Sequence, residues 1–265
     1  MEPLTISLVQ GDTRWHDAAA NRDHYGRLVR GIGGECDLVV LPETFLSGFT
    51  NETAANAERM DGEGLRWLHA LAAETGRVIT GSLVVQEGDR CVNRLVWMPP
   101  DGRHALYDKR HLFRMAREHE RYAPGGERLV TTLKGWRIRC EVCYDLRFPV
   151  WLRNRHDRET GRFDYDLVLF VANWPAARRH AWRTLLRARA IENLAYCAGV
   201  NRVGTDGNGL AYAGDSAVVD FLGEPLVECG ATEQVVTVTL DPAALAAHRE
   251  RFPAWMDADD FTLDA

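Results

Sequence analysis

The sequence predicts a single α/β domain with mixed rather than purely parallel sheets. Short apolar runs of strand length alternate with helical patterns along all 265 residues, an order typical of α/β domains. No linker, low-complexity tract or clear repeat divides the chain. Two pairs of strand-like runs are joined by short turns, which indicates antiparallel neighbours within the sheets. We therefore expect one domain spanning residues 1–265.

The first half of the chain contains five predicted strands and two predicted helices. Each strand is an apolar run bounded by turn residues, and the second helix has leucines at helical spacing with Gly76 as a C-cap. Residues 111–127 have weak periodicity and end in Pro-Gly-Gly, which predicts a long ordered loop with about one helical turn. The strands are expected at 5–10, 36–43, 77–85, 90–98 and 104–109, and the helices at 15–31 and 63–76.

The second half continues the same alternation. The run "DLVLFVANW" is almost continuously apolar, as expected of a strand covered on both faces. Asp241 and Pro242 suit the N-cap and first position of a final helix. The strands are expected at 136–144, 166–174, 195–204, 214–220 and 233–240, and the helices at 178–193 and 241–252.

Composition excludes several classes of partner. The net charge is −6 and no long basic run occurs, which argues against nucleic-acid binding. The locally basic stretch 177–190 is expected to form a helix that faces solvent or another subunit. No apolar run approaches ~18 residues, and residues 1–10 lack the pattern of a signal peptide. We expect a cytoplasmic protein that binds neither nucleic acid nor membrane.

Cys140 and Cys143 form a C-x-x-C pattern within "RIRCEVCYDLRFP". This spacing occurs in redox pairs and in halves of zinc sites, and it also arises when one working cysteine has an incidental neighbour. Redox pairs usually open a helix, whereas these cysteines lie in a strand-like run, where residues three apart point to opposite faces. A zinc site would need a second such pair or paired histidines, and the sequence has neither. We expect Cys140 to be buried on the face opposite the site.

Three ionisable residues follow predicted strands, where α/β proteins often place their sites. Glu43 follows "LVVLP", Lys109 ends "ALYDK", and Cys143 ends "WRIRCEV". Taken alone, each has an ordinary structural interpretation, either as a solvated strand end or as a packing residue. Together they supply a nucleophile, a proton acceptor and a cation for an oxyanion, which are the groups that covalent acyl transfer requires. Their spacing in the sequence does not show that they converge.

The segments "LPETFLSGF", "YDKRHLF" and "CYDLRFP" resemble the three signature blocks of the nitrilase superfamily, the carbon–nitrogen hydrolases. The resemblance continues through residues 172–216 and so covers nearly the whole chain. Within the superfamily the chain is most similar to the omega-amidases, which hydrolyse the terminal amide of 2-oxoglutaramate and 2-oxosuccinamate. Tyr144-Asp145 follows the cysteine where true nitrilases usually have Trp-Glu, which favours an amidase.

This resemblance implies a four-layer α-β-β-α sandwich and a catalytic set without metal or cofactor. Cys143 matches the family's nucleophile, Glu43 the general base, and Lys109 the residue that stabilises the oxyanion, with the Tyr144 N–H as second donor. The family has another catalytic glutamate shortly before a Pro-Gly, which positions substrate and water. Alignment on that dipeptide favours Glu118 over Glu120.

The implied substrate carries a carboxylate, which a cation should meet. We expect Arg147 to bind it, with Arg178 or Arg202 as alternatives and a structural ion pair as the ordinary interpretation. The walls of the pocket are expected from residues near the signature blocks, although core packing would equally explain them. These residues are Phe45, Met115, Phe148, Asn173 and Trp174.

Two further residues are expected to be structural: Glu192 should pair with an arginine on its own helix, and His111 should donate or accept a hydrogen bond. The family usually associates, so we expect a homodimer or higher homo-oligomer, with the helix at 178–193 and the tail 252–265 at the contact. Three competing functions remain: another small-amide or deaminated-glutathione hydrolase, a thiol–disulfide oxidoreductase, and a non-catalytic binding protein of the same fold.

Overall fold

The computed structural model describes residues 1–259 and 261–263. Their regular structure comprises sixteen strands and six α-helices, with five short 3₁₀ turns. The helices are α1 Ala18–Arg30, α2 Thr53–Asn56, α3 Glu63–Thr75, α4 Pro149–Leu152, α5 Arg179–Asn193 and α6 Pro242–Arg251. The strands are β1 Leu4–Gln10, β2 Leu38–Val40, β3 Val78–Glu87, β4 Arg90–Met98, β5 Ala105–Asp108, β6 Leu129–Leu133, β7 Trp136–Val142, β8 His156–Asp157, β9 Arg162–Phe163, β10 Leu167–Ala172, β11 Tyr196–Asn201, β12 Val203–Thr205, β13 Ala211–Ala213, β14 Ala217–Val219, β15 Pro225–Glu228 and β16 Gln234–Leu240.

Two six-stranded mixed sheets form the centre of the protein. The first sheet has the order β16-β1-β2-β3-β4-β5 and the second has the order β15-β14-β11-β10-β7-β6. Strands β1, β2 and β3 are parallel, whereas β3, β4 and β5 are joined as antiparallel hairpins. In the second sheet β7, β10 and β11 are parallel. The mixed α/β class expected from the sequence is therefore confirmed.

Helices cover the outer face of each sheet. Side chains of α1 and α3 pack with Val9, Val39 and Ile79 in one apolar cluster outside the first sheet. On the second sheet, α5 approaches β11 at Gly199, where an added Cβ would lie 2.7 Å from the side chains of Trp182 and Leu186. The layers thus run helix, sheet, sheet, helix, as the family resemblance implied.

The core between the sheets is apolar and completely buried. Leu4, Ile6 and Leu8 of β1 belong to the same cluster as Ile138 and Cys140 of β7. Burying this surface drives the sheets together, at about 25 cal/mol per Å² of apolar area removed from water. Cys140 therefore lies in the core that Cys143 borders. The expectation that it packs away from the site was wrong, because β7 ends at Val142 and the alternation of faces ends with it.

The helix ends agree with the signals in the sequence. The Asp241 carboxylate accepts hydrogen bonds from the N–H groups of Ala243 and Ala244 at 2.8 and 3.2 Å, and Pro242 opens α6. Gly76 ends α3 with φ 66°, a left-handed conformation that glycine adopts at little cost. The loop at 111–127 contains two 3₁₀ turns rather than one helical turn.

Two strands at the edges of the second sheet were not predicted. Strand β6 has the sequence LVTTL and is only partly buried, so it lacks the continuous apolar run that predicts a buried strand. Strand β15 begins at Pro225, which lacks an N–H group for the ladder. Among the helices that the structure describes, none combines the length and apolar character needed to cross a membrane.

Candidate active site

Four side chains from two sheets meet at one end of the sandwich. Glu43 follows β2 and Lys109 follows β5, and these strands run in the same direction within the first sheet. Cys143 follows β7, and Asn173 follows its parallel neighbour β10 in the second sheet. The two pairs are joined directly, since the backbone N–H of Asn173 donates to Glu43 Oε2 at 2.8 Å. The carboxyl ends of the strands thus build one site between the sheets.

Lys109 forms the centre of a buried cluster of charges. Its Nζ lies 2.9 Å from Glu43 Oε1, and 2.9 and 3.1 Å from the two carboxylate oxygens of Glu118. Burial disfavours the ammonium form, but the two carboxylates outweigh it and raise the pKa of Lys109 well above its ordinary range. Lys109 is therefore positively charged at neutral pH.

Glu118 is held from two sides. Besides Lys109, the backbone N–H of Phe113 donates to its Oε2 at 2.6 Å. Burial raises the pKa of Glu118, and Lys109 opposes the increase while Glu43 adds to it. Glu120, the alternative from the sequence, is exposed and pairs with Arg117 instead. The structure thus places Glu118, and not Glu120, beside the lysine.

Cys143 occupies a strained turn. Its φ is 45°, a left-handed conformation that is uncommon for residues other than glycine, and it opens the 3₁₀ turn Cys143–Arg147. Burial raises the pKa of the Cys143 thiol well above its ordinary range, Glu43 raises it further, and Lys109 opposes this. The resting residue is a thiol, so attack requires a base to remove its proton.

A cavity opens beside these residues, and Lys109, Cys143 and Asn173 line part of it. Aromatic and aliphatic side chains form most of the remaining wall. Trp174 is 3 % exposed and forms part of the wall. The lining residues are Phe49, Lys109, Phe113, Ala116, Cys143, Tyr144, Arg147, Asn173, Trp174, Pro175, Arg178, Leu210 and Tyr212.

Three expected pocket residues, Phe45, Met115 and Phe148, do not line this cavity. Phe45 is completely buried beneath the first sheet, where its ring packs against Tyr25 and Trp67 at 5.8 and 5.9 Å. Met115 lies on the outer side of a 3₁₀ turn and is 79 % exposed, whereas its neighbour Ala116 faces the cavity. Sequence proximity to the signature blocks failed here because the local turns decide which side chain points inward.

Two of the three arginines expected to bind the substrate carboxylate reach the cavity. Arg147 lies over the Trp174 ring at 4.8 Å, and Arg178 lies over the Phe113 ring at 5.1 Å. Arg202 is completely buried outside the cavity lining, where it donates to Asp12 at 3.1 Å. Arg202 is therefore excluded as a residue of this cavity.

The remaining structural expectations agree with the contacts. His111 bonds to Asp145 at 2.7 Å, as expected of a structural residue, and stacks on Phe148 at 3.7 Å. Phe148 itself lies outside the cavity lining, so its expected place in the wall was wrong. Glu192 pairs with Arg189 at 2.9 Å. All six cysteines lie in the described part of the chain and are free, so Cys140 and Cys143 are not joined.

Asn93 is a site residue that sequence reasoning missed. Its amide donates to Glu43 Oε1 at 2.8 Å, and its backbone carbonyl accepts from the Lys109 N–H at 2.9 Å. It lies in the middle of β4, so no strand end or turn marks it in the sequence. Phe49 and Tyr212 of the cavity wall were missed as well, because an aromatic side chain in a loop or in the short strand β13 has no sequence signal that separates a wall residue from a packing residue.

Comparisons with known proteins agree with this geometry. A family model described as carbon-nitrogen hydrolase matches residues 5–250. The chain is 48% identical over 264 residues to omega-amidase YafV of Escherichia coli K12, covering 99% of this chain and 100% of the relative. It is 30% identical to the 2-oxoglutaramate amidase of Bacillus subtilis, with 96% of each covered. The crystal structure of XC1258 from Xanthomonas campestris, a CN-hydrolase superfamily protein with an arsenic adduct in its active site, superposes with a TM-score of 0.97 at 60% identity over 100% of both chains.

Proposed function

The chain belongs to the carbon–nitrogen hydrolase family, and on that premise we propose that it is an omega-amidase. It would hydrolyse the terminal amide of 2-oxoglutaramate or 2-oxosuccinamate to the 2-oxo diacid and ammonia. The observation that carries the chemistry is the buried Lys109 between Glu43 and Glu118, beside the thiol of Cys143. The full-length similarity to omega-amidase YafV and to 2-oxoglutaramate amidase supports the substrate.

The first half of the reaction forms a thioester. Glu43 takes the thiol proton as Cys143 attacks the amide carbon, and the carbonyl oxygen becomes an oxyanion. Lys109 donates to that oxygen, together with the Tyr144 N–H, which lies in the first turn after Val142 and so has no intrahelical acceptor. The tetrahedral intermediate collapses as the protonated Glu43 gives its proton to the nitrogen, and ammonia leaves.

The second half releases the acid. A water molecule enters where ammonia left, and Glu43 removes a proton from it as it attacks the thioester. The second oxyanion uses the same donors, and its collapse breaks the C–S bond. The cysteine sulfur then takes back the proton from Glu43, so the enzyme returns to its starting state. Glu118 holds the lysine in place in both halves through two contacts to its Nζ.

The wall of the cavity suits a short dicarboxylic acid amide. Arg147 and Arg178 are half-buried, and among the described residues neither has a carboxylate within salt-bridge distance. Guanidinium groups bind carboxylates with paired hydrogen bonds. The carboxylate of a 2-oxo acid amide would supply their missing partner, while Trp174 and Phe113 enclose its chain. Another small-amide hydrolase of the family is the second candidate, because the same apolar wall would accept other amides.

A substrate panel tests the proposal. Ammonia release is measured from 2-oxoglutaramate, glutamine, asparagine, deaminated glutathione and a simple nitrile. We expect the highest kcat/KM with 2-oxoglutaramate and no turnover of the nitrile. Faster turnover of deaminated glutathione would assign the chain to the second candidate, and thiol–disulfide exchange without amide hydrolysis would assign it to neither.

We also propose that the protein is a cytoplasmic homo-oligomer. Ile191 on α5 is 51 % exposed, and Leu222 and Leu226 near β15 are 52 % and 43 % exposed. A Cβ at Gly223 would lie 2.6 Å from Ile191, so the turn that follows Leu222 lies against this face of α5. Exposed apolar side chains of this kind suit a contact between two copies. In the tail, which was also predicted to contact another subunit, Trp255 packs on His156 of the same chain at 3.7 Å. Residues 260, 264 and 265 of the tail lie outside the described part.

A further inference from the structure

A second buried group of polar side chains lies behind the turn of the nucleophile and takes no part in the proposed reaction. The Tyr107 hydroxyl lies 2.8 Å from Glu141 Oε2 and 2.8 Å from Asp145 Oδ2. All three side chains are at most 2 % exposed. One hydroxyl has one proton, so it can donate to only one of two carboxylates. The other contact needs a second proton, because two bare oxygens at this distance repel each other.

Glu141, Tyr107 and Asp145 form a chain of hydrogen bonds, and Asp145 is the acceptor at one end of it. The backbone N–H groups of Val142 and His111 donate to its two oxygens at 3.0 and 2.9 Å, and the His111 ring lies 2.7 Å away. N–H donors of this kind favour the charged form of a carboxyl group. Asp145 therefore accepts from Tyr107 as a carboxylate.

Glu141 is the donor at the other end. Burial raises the pKa of Glu141 to about 7, Arg139 opposes the increase, and Asp145 adds to it. Its Oε1 accepts from Arg139 Nε at 2.5 Å, and its Oε2 accepts from Trp151 Nε1 at 3.0 Å. Neither contact supplies a proton between Glu141 and Tyr107, so the missing proton belongs on Glu141 Oε2.

The charges around Glu141 come from several elements. Burial and the two carboxylates raise the pKa of Tyr107 well above its ordinary range, so it remains a hydroxyl. Burial likewise raises the pKa of Cys140 and of Tyr165, which stay neutral. The positive groups are arginines, and the negative group is the aspartate of the turn. The ionisable groups facing Glu141 are Arg139 and Cys140 of β7, Tyr107 of β5, Asp145 of the turn, Arg128 before β6 and Tyr165 before β10.

We propose that Glu141, Tyr107 and Asp145 share one proton beyond the tyrosine's own, and that this chain fixes the turn carrying Cys143. Glu141 donates to Tyr107, Tyr107 donates to Asp145, and Asp145 holds the N–H of Val142 immediately before the nucleophile. Glu141 and Tyr107 are therefore positioning residues. The shared proton follows from the contacts alone, and only its kinetic effect rests on the proposed function.

The chain of hydrogen bonds from Glu141 to Asp145 should weaken as the pH rises. The folded-state pKa of Glu141 lies above its ordinary value of 4.5. A group of this kind adds stability that is fully present below the ordinary pKa and is lost as the pH rises through the folded value, here about 7. Above that pH the two carboxylates compete for one hydroxyl proton.

Infrared spectroscopy of the whole protein tests the shared proton. We expect a protonated-carboxyl C=O band near neutral pH that disappears above about pH 9 and is missing in Glu141→Gln. Asp166→Asn is the matched control, since Asp166 is a buried acid paired with Arg137 and Arg249 and should not contribute to this band. Tyr107→Phe should shift the band, because the acceptor of the Glu141 proton is gone. An unchanged band in both Glu141→Gln and Tyr107→Phe would overturn the proposal.

Kinetics with 2-oxoglutaramate tests the positioning role. In the wild type, kcat should fall as the pH rises through about 7 to 8, with KM nearly constant. The glutamine of Glu141→Gln can still donate to Tyr107, so the kcat of this variant should be within about tenfold of the wild type. Because its side chain does not ionise, its kcat should not fall over this pH range. A decline of the same midpoint in Glu141→Gln would refute the positioning role. An enzyme that lacks activity on 2-oxoglutaramate but keeps the infrared band would refute the proposed function and leave the shared proton intact.

Discussion

Asn93 donates its side-chain amide to Glu43 Oε1 at 2.8 Å, and Lys109 Nζ donates to the same oxygen at 2.9 Å. The other oxygen, Oε2, accepts from the Asn173 N–H at 2.8 Å. Glu43 is thus fixed from both sheets before substrate arrives. This preorganisation leaves Glu43 little freedom, which favours the proton transfers that we propose for it.

Asn93→Ala should lower kcat by about tenfold, because a buried hydrogen bond to a charged group contributes about 1.5–3 kcal/mol and some of it is replaced on relaxation. KM should change little, since Asn93 is not in the cavity wall. The matched control is Asn154→Ala, another buried amide, which bonds the backbone of Tyr165 and Asn193 outside the cavity lining. The control should lower Tm and keep kcat. Equal kcat for both variants would contradict the role of Asn93.

The C-x-x-C pattern gives a direct comparison of two cysteines. Cys143→Ala should lower kcat by about 10³-fold or more, because loss of a nucleophile removes the covalent route. Cys140→Ala should keep most activity and lose only core packing, since Cys140 is a buried residue between the sheets. Ammonia release and intact-mass detection of the thioester check both variants. A Cys140 variant as inactive as the Cys143 variant would restore the paired interpretation.

Substitutions of the adjacent residues Arg178 and Arg179 distinguish loss of a substrate-binding group from loss of a positive charge alone. Arg178→Gln should reduce kcat/KM for 2-oxoglutaramate by about tenfold to a hundredfold, mostly through KM, because a charge-assisted hydrogen bond is lost. An uncharged amide should be affected much less. Arg179→Gln is the control, since Arg179 bonds Asp215 at 2.7 Å outside the cavity lining. If the two variants have the same kcat/KM, Arg178 does not bind the substrate.

Replacement of the buried lysine should make stability depend on pH. Lys109→Met leaves Glu43 and Glu118 facing each other without their cation, a loss of about 3–5 kcal/mol at neutral pH. The pKa of Glu118 is already raised by burial and is held down by Lys109. Without the lysine, Glu118 should gain its proton at higher pH, so the deficit should be largest in alkaline solution and shrink on acidification.

Denaturation at about pH 8 and about pH 5 measures this effect. Lys134→Met is the control, because Lys134 pairs with Asp37 at the surface and such pairs contribute about 0–1 kcal/mol. A deficit in Lys109→Met that does not change with pH would show that lost packing, and not unpaired charge, causes it.

The apolar runs of the sequence predicted most of the strands, and the resemblance to the nitrilase superfamily singled out Glu43, Lys109 and Cys143 as the candidate catalytic set. Buried parallel strands are apolar runs, and the polar residues that follow them are visible because the contrast is abrupt. Glu43 and Cys143 occupy such positions after β2 and β7, whereas Lys109 follows β5, an antiparallel edge strand that is only partly buried. The boundaries were less accurate at the second strand, expected at 36–43 and found at Leu38–Val40.

The misses have equally specific causes. Phe45 follows Thr44, whose φ of 40° turns the chain and directs the ring into the outer core. Cys143 has left the strand, so its position could not be deduced from alternation with Cys140. Asn93 faces the site from the middle of a strand, where a polar residue has no positional signal until the sheets are brought together.

The division of the site between two sheets has a consequence for refolding. Glu43, Asn93 and Lys109 come from the first half of the chain, whereas Cys143 and Asn173 belong to the second sheet. Each sheet can form its own hydrogen bonds before the core between them closes, but Cys143 meets Glu43 only afterwards. Regain of enzymatic turnover should therefore lag behind regain of secondary structure. The rate at which turnover returns would then measure how fast the two sheets dock.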